Sequence, residues 1–415
     1  MKIGLLIIGD EILLGQVTDT NSSMIARQLY TIGLQVDLKL TVGDALDAIV
    51  QGLGYLAEHV DIVLMSGGLG PTRDDITKKA LAVFLHQQLV FSEEAKKHLE
   101  LILSRRQRPL DTIQLQQCYI PEGARLLSND MGTACGIWVE QDERTFVSMP
   151  GVPYELEHIM GVHVLPGLSK LESVKKLMHR SILTGGLGET QIAHRIEPLL
   201  EAMPPYISLA YLPSVGQVRV RLTVDESAAK DAKAQWNFYF DRIQHALEPE
   251  TIGFDEDQLE VALGKRLLHL GWSISTAESF TGGNVAGRFT SVAGASDYFK
   301  GGITAYQEEI KIRELGIDSE QLKAAGVVSE FCVREMAHAA CRKFGTQIAI
   351  ATTGIAGPSG GQPETPVGTV WIACGNTHRM ITRKYHFPWD RRRNTEAGIT
   401  YALLLCWEYL KSENN

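Results

Sequence analysis

Residues 2–8 (KIGLLII) are apolar at nearly every position, the pattern of a strand buried on both faces of a parallel sheet. Thr20, Asn21 and Ser22 offer capping side chains ahead of a helical period at Met24, Ile25 and Leu29, and Gly33 ends that helix. Residues 34–40 alternate like a strand, 45–57 carry a second helical pattern, and 61–65 (DIVLM) are apolar again. This β-α-β-α-β succession predicts a doubly wound α/β domain, in which ligands sit outside the carboxyl ends of the strands.

From residue 168 onward the elements shorten. Residues 176–183 read as a strand, GLGETQIAHRIEPLL as a turn and amphipathic helix, and YISLAYLP with QVRVRLTV as a hairpin; a helix follows over 231–247. This is a small α+β connector, closed by an acidic stretch at 248–258. Beyond it, 258–269 is an amphipathic helix, 272–279 (WSISTAES) a strand, GGITAY a strand running into a helical turn, 347–354 another strand, and FPWDRRRN (387–394) opens a last helix. The expected domains are 1–168, 169–252 and 253–415, the last again α/β.

At 415 residues the chain is too long for one core, which agrees with this division. A composition of 44% apolar and 21% charged residues is ordinary for a globular protein. The net charge of −9 argues against nucleic acid as a partner, since phosphates are neutralised by a basic face. The six cysteines (118, 135, 332, 341, 374, 406) include no CxxC pair and read as reduced thiols of a cytoplasmic protein. The apolar start is too short for a membrane span and runs into Asp10 and Glu11 with no cleavage site, so neither membrane nor signal peptide is expected.

Two places carry candidate chemistry. In SGGLGPTRDDIT (66–77), Gly67, Gly68 and Gly70 let the backbone approach a ligand, and the helix beginning near Ile76 aims its positive end there. Asp74 and Asp75 suit a divalent cation held against a pyrophosphate, and equally suit capping of that helix. Asp10 and Asn21, at the ends of neighbouring elements, join them as candidates, again with capping as the plain alternative. Neither a Walker A loop nor GxGxxG is present.

The second place is AESFTGG (277–283). Ser279 ends a strand just before Thr281, Gly282 and Gly283 open a helix, which suits an exposed nucleophile beside N–H groups that form an oxyanion hole. Taken by itself, Ser279 is more simply a helix cap. Its company points elsewhere: Lys311, if desolvated, serves as the base, and the Tyr306 phenol can bridge the two. Thr352 and Thr353, with Gly354 and Gly357 in TTGIAGPSGG, offer donors to a substrate, and Arg391, Arg392 and Arg393 suit a phosphate. A solvated lysine, a core tyrosine and solvated arginines are the plain alternatives. The loop Gly185-Gly186-Leu187-Gly188-Glu189 has the GxxG form but no basic residue, which favours a scaffold over an RNA binder.

GDEILLGQVTDTNS (9–22), SGGLGPTRDDIT, LSNDMGTACGIWVE (127–140) and MPGVPYE (149–155) together resemble the molybdopterin-binding MoaB/MogA-type fold, in the version found at the N-terminus of CinA proteins. In that subfamily the resemblance implies hydrolysis of ADP-ribose to AMP and ribose 5-phosphate, dependent on a divalent metal (Mg, Mn or Co). Asp75 falls on the aspartate of the family's Arg-Asp-x-Thr run and Asp74 replaces its arginine, a departure that favours phosphoanhydride cleavage over pterin binding. The middle part resembles a KH-like fold. AESFTGG, GGITAYQEEIK and TTGIAGPSGG resemble the CinA C-terminal, or PncC, family of nicotinamide-nucleotide amidohydrolases, which need no metal or cofactor. The resemblance places the serine nucleophile on Ser279, the tyrosine on Tyr306, the lysine on Lys311 and the active-site threonine on Thr353. Phe280 departs from it, standing where related sequences often carry cysteine. Gly282, Gly283, Gly354, Gly357 and Arg391 are then expected to bind nicotinamide mononucleotide, and Gly67, Gly68, Gly70 and Asn21 to bind ADP-ribose, with metal on Asp10, Asp74 and Asp75. Over its whole length the chain resembles a CinA protein: a bifunctional pyridine-nucleotide recycling enzyme, expected as a homodimer. The alternative is a non-enzymatic nucleotide- or molybdopterin-binding adaptor linked to competence.

Overall fold

The computed structural model describes residues 1–72, 75–170 and 177–414. The chain forms two compact units, Met1–Met178 with Asp225–Ser227, and His179–Val224 with Ala228–Asn415.

In the first unit β1 (Ile3–Ile8) lies between β2 (Leu38–Val42) and β3 (Ile62–Ser66), parallel to both, and all six of its residues are buried. Around these strands stand α1 (Asp10–Leu13), α2 (Asn21–Thr31), α3 (Leu46–His59) and α4 (Thr77–Phe84), and α5 (Glu93–Arg105) follows. The sheet continues through β4 (Arg125–Leu127), β5 (Gly136–Gln141) and β6 (Arg144–Met149) in the order β2-β1-β3-β6-β5-β4. The β3–β6 pair is parallel and the last two pairs are antiparallel. The period of two in a strand sends Ile3, Leu5 and Ile7 into a core with Ile25 and Leu29 of α2, and Leu6 and Ile8 into another with Ile49, Leu53 and Leu56 of α3. That is why β1 is apolar throughout, and the domain is doubly wound over a mixed sheet.

Two local expectations are corrected. The second strand starts at Leu38, not 34, because Asp37 terminates the loop by pairing with Ile3: its amide donates to the Ile3 carbonyl and its carboxylate accepts from the Ile3 amide. The start of α2 is held not by Thr20, Asn21 or Ser22 but by Asp19, whose carboxylate accepts from the Ser22 amide at 2.9 Å.

The second unit opens with β7 (Leu177–Gly185), α6 (Glu189–Leu200), β8 (Ile207–Ser214), β9 (Gln217–Asp225), α7 (Ala232–Leu247) and β10 (Thr251–Phe254), with sheet order β8-β9-β7-β10. Residue 176, where the first of these strands was expected to start, lies outside the described residues. The glycine loop of this part is built for packing. A Cβ on Gly185 would stand 2.5 Å from Leu404 and 2.6 Å from Ile252, and the Gly186 amide donates to the Gly216 carbonyl.

The rest of this unit comprises α8 (Leu259–Leu270), β11 (Ile274–Glu278), α9 (Asn284–Thr290), β12 (Phe299–Thr304), α10 (Glu308–Leu315), α11 (Glu330–Phe344), β13 (Ile348–Gly354), β14 (Thr369–Gly375), β15 (Met380–His386) and α12 (Arg391–Lys411). Its sheet runs β12-β11-β13-β14-β15, with β11 second from the edge, parallel to both neighbours and wholly buried. On one face Ile274, Ile348 and Ile350 meet α8 and α12; on the other Ala277, Ala349 and Ala351 meet α11. No helix among the described residues is long and apolar enough to cross a membrane.

Candidate active site

The carboxyl end of β11 carries the centre. Ser279 follows the strand directly, and its amide donates to the Thr352 carbonyl at 2.9 Å, extending the β11–β13 pairing by one residue. On the other side the Ala305 amide donates to the Glu278 carbonyl at 2.7 Å, so the loop after β12 lies against the same strand end. Lys311, in the first turns of α10, folds back over that loop. Its Nζ lies 3.0 Å from Ser279 Oγ, 2.7 Å from the Ala305 carbonyl and 3.3 Å from the Tyr306 carbonyl.

Lys311 is 2% exposed, and burial pulls its pKa below the ordinary lysine value, with small opposing contributions from Cys332 and Glu308. A neutral amine has two hydrogens and one lone pair. With the hydrogens on the two carbonyls, the lone pair is left to accept from the Ser279 hydroxyl. Ser279 itself is 8% exposed, less open than expected for a strand-end nucleophile, because the Tyr306 loop closes over it.

The Tyr306 phenol does not bridge serine and lysine. The side chain is 51% exposed, and its hydroxyl accepts from Arg391 Nη2 at 2.7 Å; only the Tyr306 main chain reaches Lys311. Arg391, first in α12, also donates to the Gly357 carbonyl at 2.9 Å, tying the GIAGP loop to the tyrosine. Thr353 is buried, and its single hydroxyl proton goes to the Val327 carbonyl at 2.6 Å, so it has none for a substrate. Gly354 ends β13 in close contact with Phe280, which is a core residue and not a site residue. The Gly283 amide, expected in an oxyanion hole, donates instead to the Glu278 carboxylate at 3.0 Å. The Gly282 amide has no acceptor among the described residues.

Sequence reasoning missed Glu278. Its signal was present: a carboxylate at the inner end of an otherwise uncharged, wholly buried strand requires donors, and the helix start supplies them.

In the first unit, Asn21 Nδ2 donates to Ser66 Oγ at 3.0 Å and to the Gly151 carbonyl at 2.7 Å, bringing the start of α2 to the carboxyl ends of β3 and β6. Its Oδ1 is buried without a partner among the described residues. Gly67 has φ +114 and passes so close to β1 that a Cβ would stand 2.3 Å from the Ile8 carbonyl oxygen. Gly68 accepts from the Thr77 amide through its carbonyl, and Gly70 lies against Asp75. Asp75 turns one oxygen, Oδ2, back into its own turn, where it accepts from the Thr72 amide at 2.8 Å and the Thr72 hydroxyl at 2.5 Å. Asp10 accepts from the Asp44 amide at 3.2 Å. Asp74 lies outside the described residues. Among the described residues no three His, Cys, Asp or Glu side chains gather as a metal-binding group.

The comparisons with known proteins cover all three parts. A CinA C-terminal domain matches residues 256–410, a probable molybdopterin binding domain residues 4–170, and a damage-inducible protein CinA KH domain residues 179–253. A CinA-like protein of Flavobacterium psychrophilum is 40% identical over 418 residues, covering 99% of each chain. Another, from Cytophaga hutchinsonii, is 40% identical over 404 residues and covers 97% of each. A solved structure of a competence-damaged protein (CinA) superfamily protein from Klebsiella pneumoniae is 33% identical, covers 37% of this chain and 96% of its own, and has a TM-score of 0.36. The chain therefore belongs to the CinA family, with a MoaB/MogA-like domain, a KH-like connector and a CinA C-terminal domain in that order.

Proposed function

We propose that the C-terminal part is a serine–lysine amidohydrolase that converts nicotinamide mononucleotide to nicotinate mononucleotide and ammonia. One observation carries this reading: a buried lysine, its pKa lowered, 3.0 Å from a serine hydroxyl at the carboxyl end of the buried strand β11. Neutral Lys311 takes the Ser279 proton as Oγ attacks the carboxamide carbon. The resulting lysine ammonium returns that proton to the departing nitrogen, and ammonia leaves an ester on Ser279. Water, deprotonated by the same lysine, releases the carboxylate and restores the serine. Of the oxyanion donors that sequence suggests, the Gly283 amide and the Thr353 hydroxyl are already committed, which leaves the Gly282 amide. Arg391 uses two of its nitrogens internally and keeps further N–H groups for the substrate phosphate. In Ser279→Ala, ammonia release from nicotinamide mononucleotide should fall to background with an unchanged unfolding transition. Retention of more than a few per cent of the rate would sink the covalent assignment.

A second reading concerns the first unit: hydrolysis of ADP-ribose to AMP and ribose 5-phosphate. It is favoured by the unpartnered Asn21 Oδ1 beside the Gly67–Gly70 loop at the strand ends. The described carboxylates do not assemble a metal site as they stand, since no three possible ligands gather among the described residues. AMP formation from ADP-ribose, measured with Mg, Mn or Co and with chelator, tests it. Molybdopterin binding with no AMP formed would favour the adaptor reading instead.

A further inference from the structure

Glu278 is fully buried one residue before Ser279, and its carboxylate has no cationic partner among the described residues. Its Oε2 accepts from the Thr281 hydroxyl at 2.6 Å, the Gly283 amide at 3.0 Å and the Val285 amide at 2.9 Å, and its Oε1 from the Ala286 amide at 2.8 Å. Because the Thr281 proton goes to Glu278, the Thr352 hydroxyl, 2.7 Å away, must donate to Thr281. The Glu278 main chain meanwhile accepts from Ala305, whose own carbonyl accepts from Lys311. One residue thus touches three pieces: the turn bearing Ser279, the strand bearing Thr352, and the loop over which Lys311 folds.

We propose that Glu278 is a positioning residue for the serine–lysine pair, its carboxylate fixing the 279–283 turn so that Ser279 Oγ stays within reach of Lys311 Nζ. This inference rests on the amidohydrolase reading. The reasoning is one of satisfied donors: four groups converge on the two oxygens of a carboxylate that is itself fully buried, so the turn has one arrangement that leaves no buried donor unpaired. Replacing an oxygen by an NH2 group sets donor against donor and lets the turn relax. A displacement of about 1 Å at a reacting atom costs on the order of a hundredfold in rate.

The test uses Glu278→Gln and, because a buried change of this kind can impair folding, Thr281→Val, which removes one of the four donors and keeps the carboxylate. Each full-length variant is titrated for reactive serine with a fluorophosphonate, and kcat for ammonia release is normalised to titrated sites. Expected for Glu278→Gln is a fall of about ten- to a hundredfold in kcat per site and in the rate of Ser279 labelling, with KM changed less than about threefold. Thr281→Val should show a smaller loss of the same kind. A residue that merely stabilised the fold would lower the unfolding midpoint and the number of titrated sites while leaving each remaining site at the wild-type rate; that result overturns the proposal. If wild type labels at Ser279 but releases no ammonia from nicotinamide mononucleotide, the substrate reading fails, and the labelling rates still decide the role of Glu278.

Discussion

A lysine amine can serve as a base near neutral pH only where its ammonium form is penalised, and at Lys311 the penalty is burial. The base form populates as pH rises through the lowered pKa. The value of kcat/KM for ammonia release should therefore climb along a limb whose midpoint lies below the ordinary lysine value of 10.5. Lys311→Arg should lose the limb with the activity, because a guanidinium keeps its proton. A midpoint at or above the free-lysine value would remove Lys311 as the base. Lys78 in the first unit shows the same physics without the chemistry. Burial lowers its pKa from 10.5 to about 8, while its Nζ donates to the Gln117 carbonyl. Below both values folded and unfolded chains hold the proton alike; between them the unfolded chain holds more, so stability rises with pH across that window. Compared with Lys78→Met, the wild type should gain up to about 3 kcal/mol between pH 8 and 10.5. Hydrogen exchange of the β1 amides reads this, and a difference that stays flat with pH would count against it.

Elements were legible in the sequence where one physical demand governed them. β1 was plain because both its faces meet helices, so no position could be polar. The beginning of β2 was not, since alternation continues through residues 34–37 while pairing waits for the Asp37 clasp on Ile3. The same limit appears at the candidate site. Spacing brings the Tyr306 and Lys311 backbones to the strand end, but which side chain turns inward depends on Arg391, far along the chain and ready to hold the phenol outside. Glu278 shows the converse, a residue whose position in a buried strand implied partners that spacing alone did not name. The glycine loop after β7 gives a test at this scale. Gly185 faces Leu404 of α12 and Ile252 of β10 with no room for a Cβ. Gly185→Val should cost about 1–3 kcal/mol of the second unit's stability by overpacking, seen as a lower unfolding midpoint. An unchanged midpoint would mean that the loop is free to move away, and its glycine would need a different explanation.

At the scale of the whole molecule, each unit has its own cores, and each candidate site sits at the carboxyl ends of inner strands of its own sheet. Each site is built from residues of its own unit, and substitutions without common partners have additive effects. The two proposed chemistries should therefore come apart cleanly. Asp75→Ala removes the carboxylate that organises Thr72 and the end of the glycine loop, and is expected to lower AMP formation from ADP-ribose at least about tenfold. Ammonia release in that variant should stay within about twofold of wild type. Ser279→Ala should give the mirror image, no ammonia and undiminished AMP. The informative failure is a variant that loses both activities while its unfolding transition is unchanged, because folding could not then explain the joint loss. That result would require the two sites to be energetically coupled, and nucleotide bound at one site should then change the affinity of the other by the same factor in both directions.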